Sequence, residues 1–120
     1  MSLLRKLGQM SLASIFITGG SQAFLQPGNR VKTVEKAGFP EPEAMVILNG
    51  GVMVVGGTLL ALNIVPKLTA AALLGSLIPT TLVGHAFWKE ESEATRKAQH
   101  TQFMKNLSLI GGLLLVLAGK

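Results

Sequence analysis

From Leu7 to Asn29 the chain carries no Lys, Arg, Asp, Glu or His, and from Ala44 to Pro66 again none. Between Leu68 and Trp88 the one such residue is His85, and from Asn106 to Gly119 there is none. A helix needs about 20 predominantly apolar residues to cross a bilayer. Three of these stretches have that length. The fourth reaches it when begun near Gln102, with the Lys105 ammonium drawn out to the interface on its own stem. The pattern predicts an all-α chain: a transmembrane four-helix bundle in up-down-up-down order, with helices near 4–25, 44–63, 67–88 and 102–119. Its 120 residues allow a single transmembrane domain, 1–120.

Other classes fit poorly. Only 14% of residues are charged and 48% are hydrophobic, where soluble domains carry roughly 25% charge. So few charges neither coat a soluble domain nor keep a chain disordered. The first stretch is the most polar, with Gln9, Ser11, Ser14, Thr18, Ser21 and Gln22. It competes with a secretory signal peptide starting at Arg5-Lys6. Gly8, Gln9 and Ser11 interrupt the apolar core such a peptide needs, and no A-x-A site follows. With no Cys, the chain has no disulfide, no CxxC motif, no thiolate metal site and no Cys nucleophile.

The net charge of +5 belongs mainly to one side of this arrangement. The first long loop sets Arg30, Lys32 and Lys36 against Glu35, Glu41 and Glu43. The second sets Lys89, Arg96 and Lys97 against Glu90, Glu91 and Glu93. The excess comes from Arg5, Lys6, Lys67 and Lys120 on the opposite side, plus Lys105. No basic patch with interleaved aromatics is present, so nucleic acid is not a partner on this reading. Counting Lys and Arg alone favours the long loops inside, whereas Arg5-Lys6 ahead of the first helix favours an inside N-terminus. The expectation is that both termini are cytoplasmic.

The joints have their own signals. Asn63-Ile64-Val65-Pro66-Lys67 predicts a tight turn between antiparallel neighbours. In the first long loop, Asn29 is suited to cap a short surface helix, Val31 and Val34 share a face, and Gly38 can end it left-handed. A solvated charged loop is the alternative. Helix packing in lipid relies on small residues. Gly50, Gly51, Gly56, Gly57, Gly75, Gly111 and Gly112 are the expected contacts, with Gly8, Ser11, Thr18 and Gln22 along one face of the first helix. Pro79 is expected to kink the third helix.

Threading the chain places Gln22, Asn49, His85 and Asn106 in the half of the membrane near the long loops. Thr81 lies one turn before His85. Intramembrane polar groups are costly unless paired, so they should face the interior as one candidate polar site. Trp88 and Lys105 are the expected interface anchors. Three readings of the layer stay open. It is a small-molecule or quinone-headgroup site with His85 as donor or proton relay, or a network that fixes the bundle, or a group of wetted side chains at headgroup level. One His without Cys or Asp makes no convincing metal site, and His100 is misplaced for paired haem ligation. No catalytic residue set and no phosphate loop are present.

Several segments carry a family resemblance. His85-Ala86-Phe87-Trp88 is followed by a charged loop, by Phe103-Met104-Lys105-Asn106-Leu107, and by Gly111-Gly112-Leu113-Leu114-Leu115. Gly38-Phe39-Pro40 and the run Gly56-Gly57-Thr58-Leu59-Leu60-Ala61-Leu62 precede them. In this order the chain resembles the DoxX family of small prokaryotic membrane proteins. The resemblance implies a four-helix bundle in the cytoplasmic membrane. It also implies a loose link to quinone-linked or oxidative-stress oxidoreductase assemblies, of which some relatives are described as subunits. Gln22 stands where many members carry Lys, and Met53 roughly where many carry Glu. Losing both favours a non-catalytic accessory or structural subunit bound to lipid and other integral membrane proteins. A quinone-binding oxidoreductase component is the alternative, and a small transporter or lipid-binding protein the second. A homo-oligomer fits any of them.

Overall fold

The computed structural model describes residues 2–119, apart from the side chain of Asn29. The fold is all-α. The helices are α1 (Leu3–Leu25), α2 (Gly28–Lys36), α3 (Pro42–Ala61), α4 (Pro66–Gly84) and α5 (Glu93–Ala118), with a 3-10 turn at Phe87–Lys89 after α4. Three segments are long and apolar enough to cross a membrane: Pro42–Ala61, Pro66–Lys89 and Glu93–Ala118. α1, with 23 residues, has the length but is not among them, because its amides and hydroxyls lower its hydropathy.

Contacts fix the directions of the long helices. Along α1 and α3, Gly20 meets Gly50, Phe16 meets Gly57, and Gln9 bonds Leu60, so the two run antiparallel. Gly56 meets Leu73, and Asn49 bonds Thr80, which makes α3 and α4 antiparallel. Thr81 with Asn106 and His85 with Gln99 do the same for α4 and α5. Leu12 against Gly112, and Arg5 in the space a Gly119 β-carbon would need, bring α5 back antiparallel to α1. Each long helix supplies one fully buried large side chain to a common core: Phe16, Leu60, Leu73 and Leu113. The outer surface is apolar too, with Leu4, Leu25 and Leu115 more than 70% exposed. Water would not tolerate so much apolar surface on a chain this small; acyl chains would.

The glycines divide into two groups. A β-carbon at Gly20 would lie 2.7 Å from the Gly50 carbonyl oxygen, and one at Gly57 would lie 2.9 Å from Ile17. Gly56 and Gly112 are pressed by Leu73 and Leu12, at 2.9 and 3.1 Å. These glycines let backbones approach where apolar burial gives little drive. Gly51 touches only the Phe24 ring, at 3.9 Å, and nothing lies within 4 Å of Gly75 or Gly111. The packing role expected of Gly75 and Gly111 is therefore corrected, since neither has a neighbour in contact. The small-residue face of α1 turns outward: Gly8, Ser11, Thr18 and Gln22 are exposed, while Gln9, Ala13, Phe16, Gly20 and Ala23 are buried.

The joints largely follow the sequence. α2 forms as a short helix with Val31 and Val34 half-buried, and Gly38 ends it at φ +88. Its start is corrected. Pro27 is already helical and precedes Gly28, so Asn29 lies inside the first turn, and its side chain is outside the described residues. The turn into α4 places Asn63 and Val65 in the left-handed region, at φ 58 and 38. α4 stays helical through Pro79. The largest boundary difference is at α5, which begins at Glu93 instead of near Gln102. Ser92 caps it, Glu93 occupies the first turn, and Glu93 pairs with Lys97 at 3.5 Å. Charge ends a membrane span, but Glu, Arg and Lys are good helix formers and let the helix run on.

Candidate functional site

α4 organises the polar side chains because consecutive residues on a helix point about 100° apart. Thr80 turns towards α3 and Thr81 towards α5. On the α3 side, Asn49 Nδ2 donates to Thr80 Oγ1 at 3.1 Å, and Ser76 Oγ donates to Asn49 Oδ1. Thr80 in turn donates to the Ser76 carbonyl at 2.7 Å. On the α5 side, Asn106 Nδ2 donates to Thr81 Oγ1 at 3.0 Å, and Thr81 donates to the Leu77 carbonyl at 2.7 Å. Asn106 and Thr81 are buried, whereas Asn49 is half-buried.

His85 ends α4 as its C-cap. Its Nδ1 lies 2.8 Å from Gln99 Oε1 on α5. With an amide oxygen as partner, Nδ1 carries the proton and Nε2 is left as an acceptor. Just beyond, Phe87 meets Trp88, His100 and Phe103 edge-on, with ring centroids 5.2, 4.7 and 5.3 Å away. Trp88 is half exposed, as an interfacial aromatic would be. Lys105 leans back towards the start of α5, and its Nζ bonds Gln102 at 2.7 Å.

Of the five residues expected in one polar layer, Thr81 and Asn106 bond each other, and His85 lies one turn further along α4. Asn49 belongs to a separate network on the other side of α4. Gln22 joins neither; its side chain is exposed on the outward face of α1. Spacing alone missed four partners. Ser76 and Thr80 lie outside the expected layer, Gln99 falls in an expected loop, and Gln9 reads as a polar interruption of the first span. Gln9 is 5% exposed and donates to the Leu60 carbonyl at 3.1 Å and to Asn63 Oδ1 at 3.0 Å. It ties α1 to the α3–α4 turn at the opposite end of the molecule. Its signal was available: a lone amide on the face shared with Ala13, Phe16 and Gly20 has to find a partner inside.

Chemically, the arrangement is a set of neutral hydrogen bonds. Among the described residues no buried side-chain N or O lacks a partner, and no three His or Glu come together. The hydroxyls of Ser76, Thr80 and Thr81 and the amides of Asn49 and Asn106 are engaged with one another or with helix carbonyls. A shallow, open hollow lies at the long-loop end, lined by Val31, Glu41, Pro42, Glu43, Ala44 and Ile47.

No curated protein and no solved structure matches the chain. The DoxX family model matches residues 6–86. That stretch takes in α2, α3, α4 and nearly all of α1, and it stops ahead of the aromatic cluster and α5. Apolar helices with an apolar outer surface, and a family match over more than half of the sequence, lead to one conclusion: the chain is a membrane protein and belongs to the DoxX family.

Proposed function

We propose that the protein is a non-catalytic accessory or structural subunit of a larger membrane complex, with a respiratory or other oxidoreductase assembly as the expected setting. In this reading α1, α3, α4 and α5 all cross the cytoplasmic membrane of a prokaryote in up-down-up-down order. The N- and C-termini are cytoplasmic and α2 lies on the opposite surface. One observation carries it: the interior polar groups are spent on one another, while the apolar area left over faces outward. An interior satisfied in this way holds helices together, and the outer faces remain for neighbours. The tagged full chain, extracted in mild detergent, should bring down integral membrane proteins in fixed ratio. Recovery of only a monodisperse self-oligomer would count against the reading.

The second reading, a quinone-binding oxidoreductase component, has His85 in its favour. His85 is half-buried near the long-loop surface and has Nε2 unoccupied by Gln99. A quinone carbonyl needs a donor, however; the Ser, Thr and Asn side chains of the layer are engaged, and with Nδ1 donating to Gln99 the Nε2 of His85 is an acceptor. Binding of a short-chain quinone to wild type and to His85→Ala separates the readings. Equal affinity, or none in either, removes the quinone site.

A further inference from the structure

The two ends of the molecule are electrically unlike. α1 and α4 begin at the short-loop end, where α3 and α5 finish. Neither α1 nor α4 has an acidic residue in its first turn, and Lys67 stands there in α4, with Arg5 and Lys6 at the start of α1. α3 and α5 begin at the other end and carry Glu43 and Glu93 in their first turns. A helix N-terminus bears partial positive charge and favours an anion. Cations at two such termini oppose that preference; Arg30, in the first turn of α2, does so at the other end, which also holds the Glu side chains. Arg5 is partly matched, because its guanidinium lies against Gly119 at the C-terminal end of α5. Lys6 and Lys67 are exposed, and among the described residues neither has an ion-pair partner. All six Glu belong to the long-loop end. Among the described residues this end offers its cations no acidic side chain, and an external anion can match them.

Its surroundings identify the source. Leu3, Leu4 and Leu7 flank Arg5 and Lys6 in the chain, Leu62 and Leu68 lie to either side of Lys67, and all five are 50–82% exposed. A soluble anion would leave these side chains in water, whereas an anionic phospholipid brings a phosphate to the lysines and acyl chains to the leucines. We propose that the short-loop end is a docking surface for anionic phospholipid headgroups, with Lys6 and Lys67 as the principal contacts. A basic residue near a membrane contributes enough to change binding about fivefold. The effect weakens as salt screens it.

The test is competition between phosphatidylglycerol and phosphatidylcholine for the purified full chain, with retained lipids counted by native mass spectrometry. Wild type should retain phosphatidylglycerol preferentially. Lys6→Gln/Lys67→Gln should lower that preference by about fivefold for each cation lost. Lys32→Gln/Lys36→Gln, at the other end, should leave it intact. If the double variant fails to fold, Lys67→Gln alone carries the prediction of about a fivefold drop. Equal retention of both lipids by wild type, or loss of preference only in the Lys32/Lys36 variant, overturns the proposal. The readout needs no partner protein, so it stands or falls apart from the accessory role.

Discussion

The crossing of α1 over α3 gives the sharpest test of the packing. An alanine at Gly20 would place its β-carbon 2.7 Å from the Gly50 carbonyl oxygen, 2.7 Å from Met53 Cβ and 3.0 Å from Val54 Cγ2. At Gly50 the counterparts are 2.8 Å from the Gly20 carbonyl oxygen and 2.8 Å from the Phe24 amide nitrogen. Ordinary contact begins at 3.4 Å, so the backbones must part by roughly 0.6–0.7 Å. A gap of that size forfeits about a quarter to a half of the dispersion at each contact along the crossing. Overpacking of this kind costs about 1–3 kcal/mol. The better helix propensity of alanine returns at most about 1 kcal/mol. Gly20→Ala or Gly50→Ala should therefore destabilise by roughly 1–2 kcal/mol. The double variant should lose less than the sum, because one separation relieves both clashes. Gly75→Ala and Gly111→Ala, which meet nothing, should be neutral or gain up to about 1 kcal/mol. Reversible unfolding in mixed micelles, followed by far-UV circular dichroism, measures all five variants. A Gly20→Ala protein as stable as wild type, or a Gly75→Ala protein as damaged as Gly20→Ala, would refute the reasoning.

The same titration checks three further expectations. Gln9→Leu removes the two hydrogen bonds to the α3–α4 turn, but the Leu60 carbonyl keeps the Asn63 N–H and the Asn63 side chain is exposed, so the cost should be about 0.5–1.5 kcal/mol. Asn49→Leu and Asn106→Leu should each cost about 0.6–1.7 kcal/mol, the range of interhelical hydrogen bonds in membranes, and should add, since they act on opposite sides of α4. Val65→Gly should stabilise by up to about 1 kcal/mol, because a β-branched residue at φ 38 carries a left-handed strain that glycine does not.

Charge distribution made the helices, the α3–α4 turn and the surface helix α2 legible, because apolar length and turn chemistry are local properties. It did not show where a helix continues past the uncharged stretch, so Glu93–Thr101 read as loop. Nor does a linear pattern specify rotation about a helix axis. Gly8, Ser11, Thr18 and Gln22 form one stripe whether they face in or out, and the neighbouring stripe of Gln9, Ala13, Phe16 and Gly20 is the one that packs. The polar layer divided for the same reason. Asn49 and Asn106 were placed at similar depth, but depth says nothing about which side of α4 each one meets.

The claim on which the rest depends is that α1 spans the bilayer although its own hydropathy is too low, because α3 grips it along its length. With no native Cys, the chain allows single cysteines to be read cleanly. Ser2→Cys, Ala37→Cys, Ile64→Cys and Ala94→Cys all fall on exposed positions at the ends of helices or in joints. In sealed, oriented vesicles an impermeant maleimide should label positions 2 and 64 from one side and positions 37 and 94 from the other. Labelling of positions 2 and 37 from the same side would show that α1 does not cross, and would contradict the account.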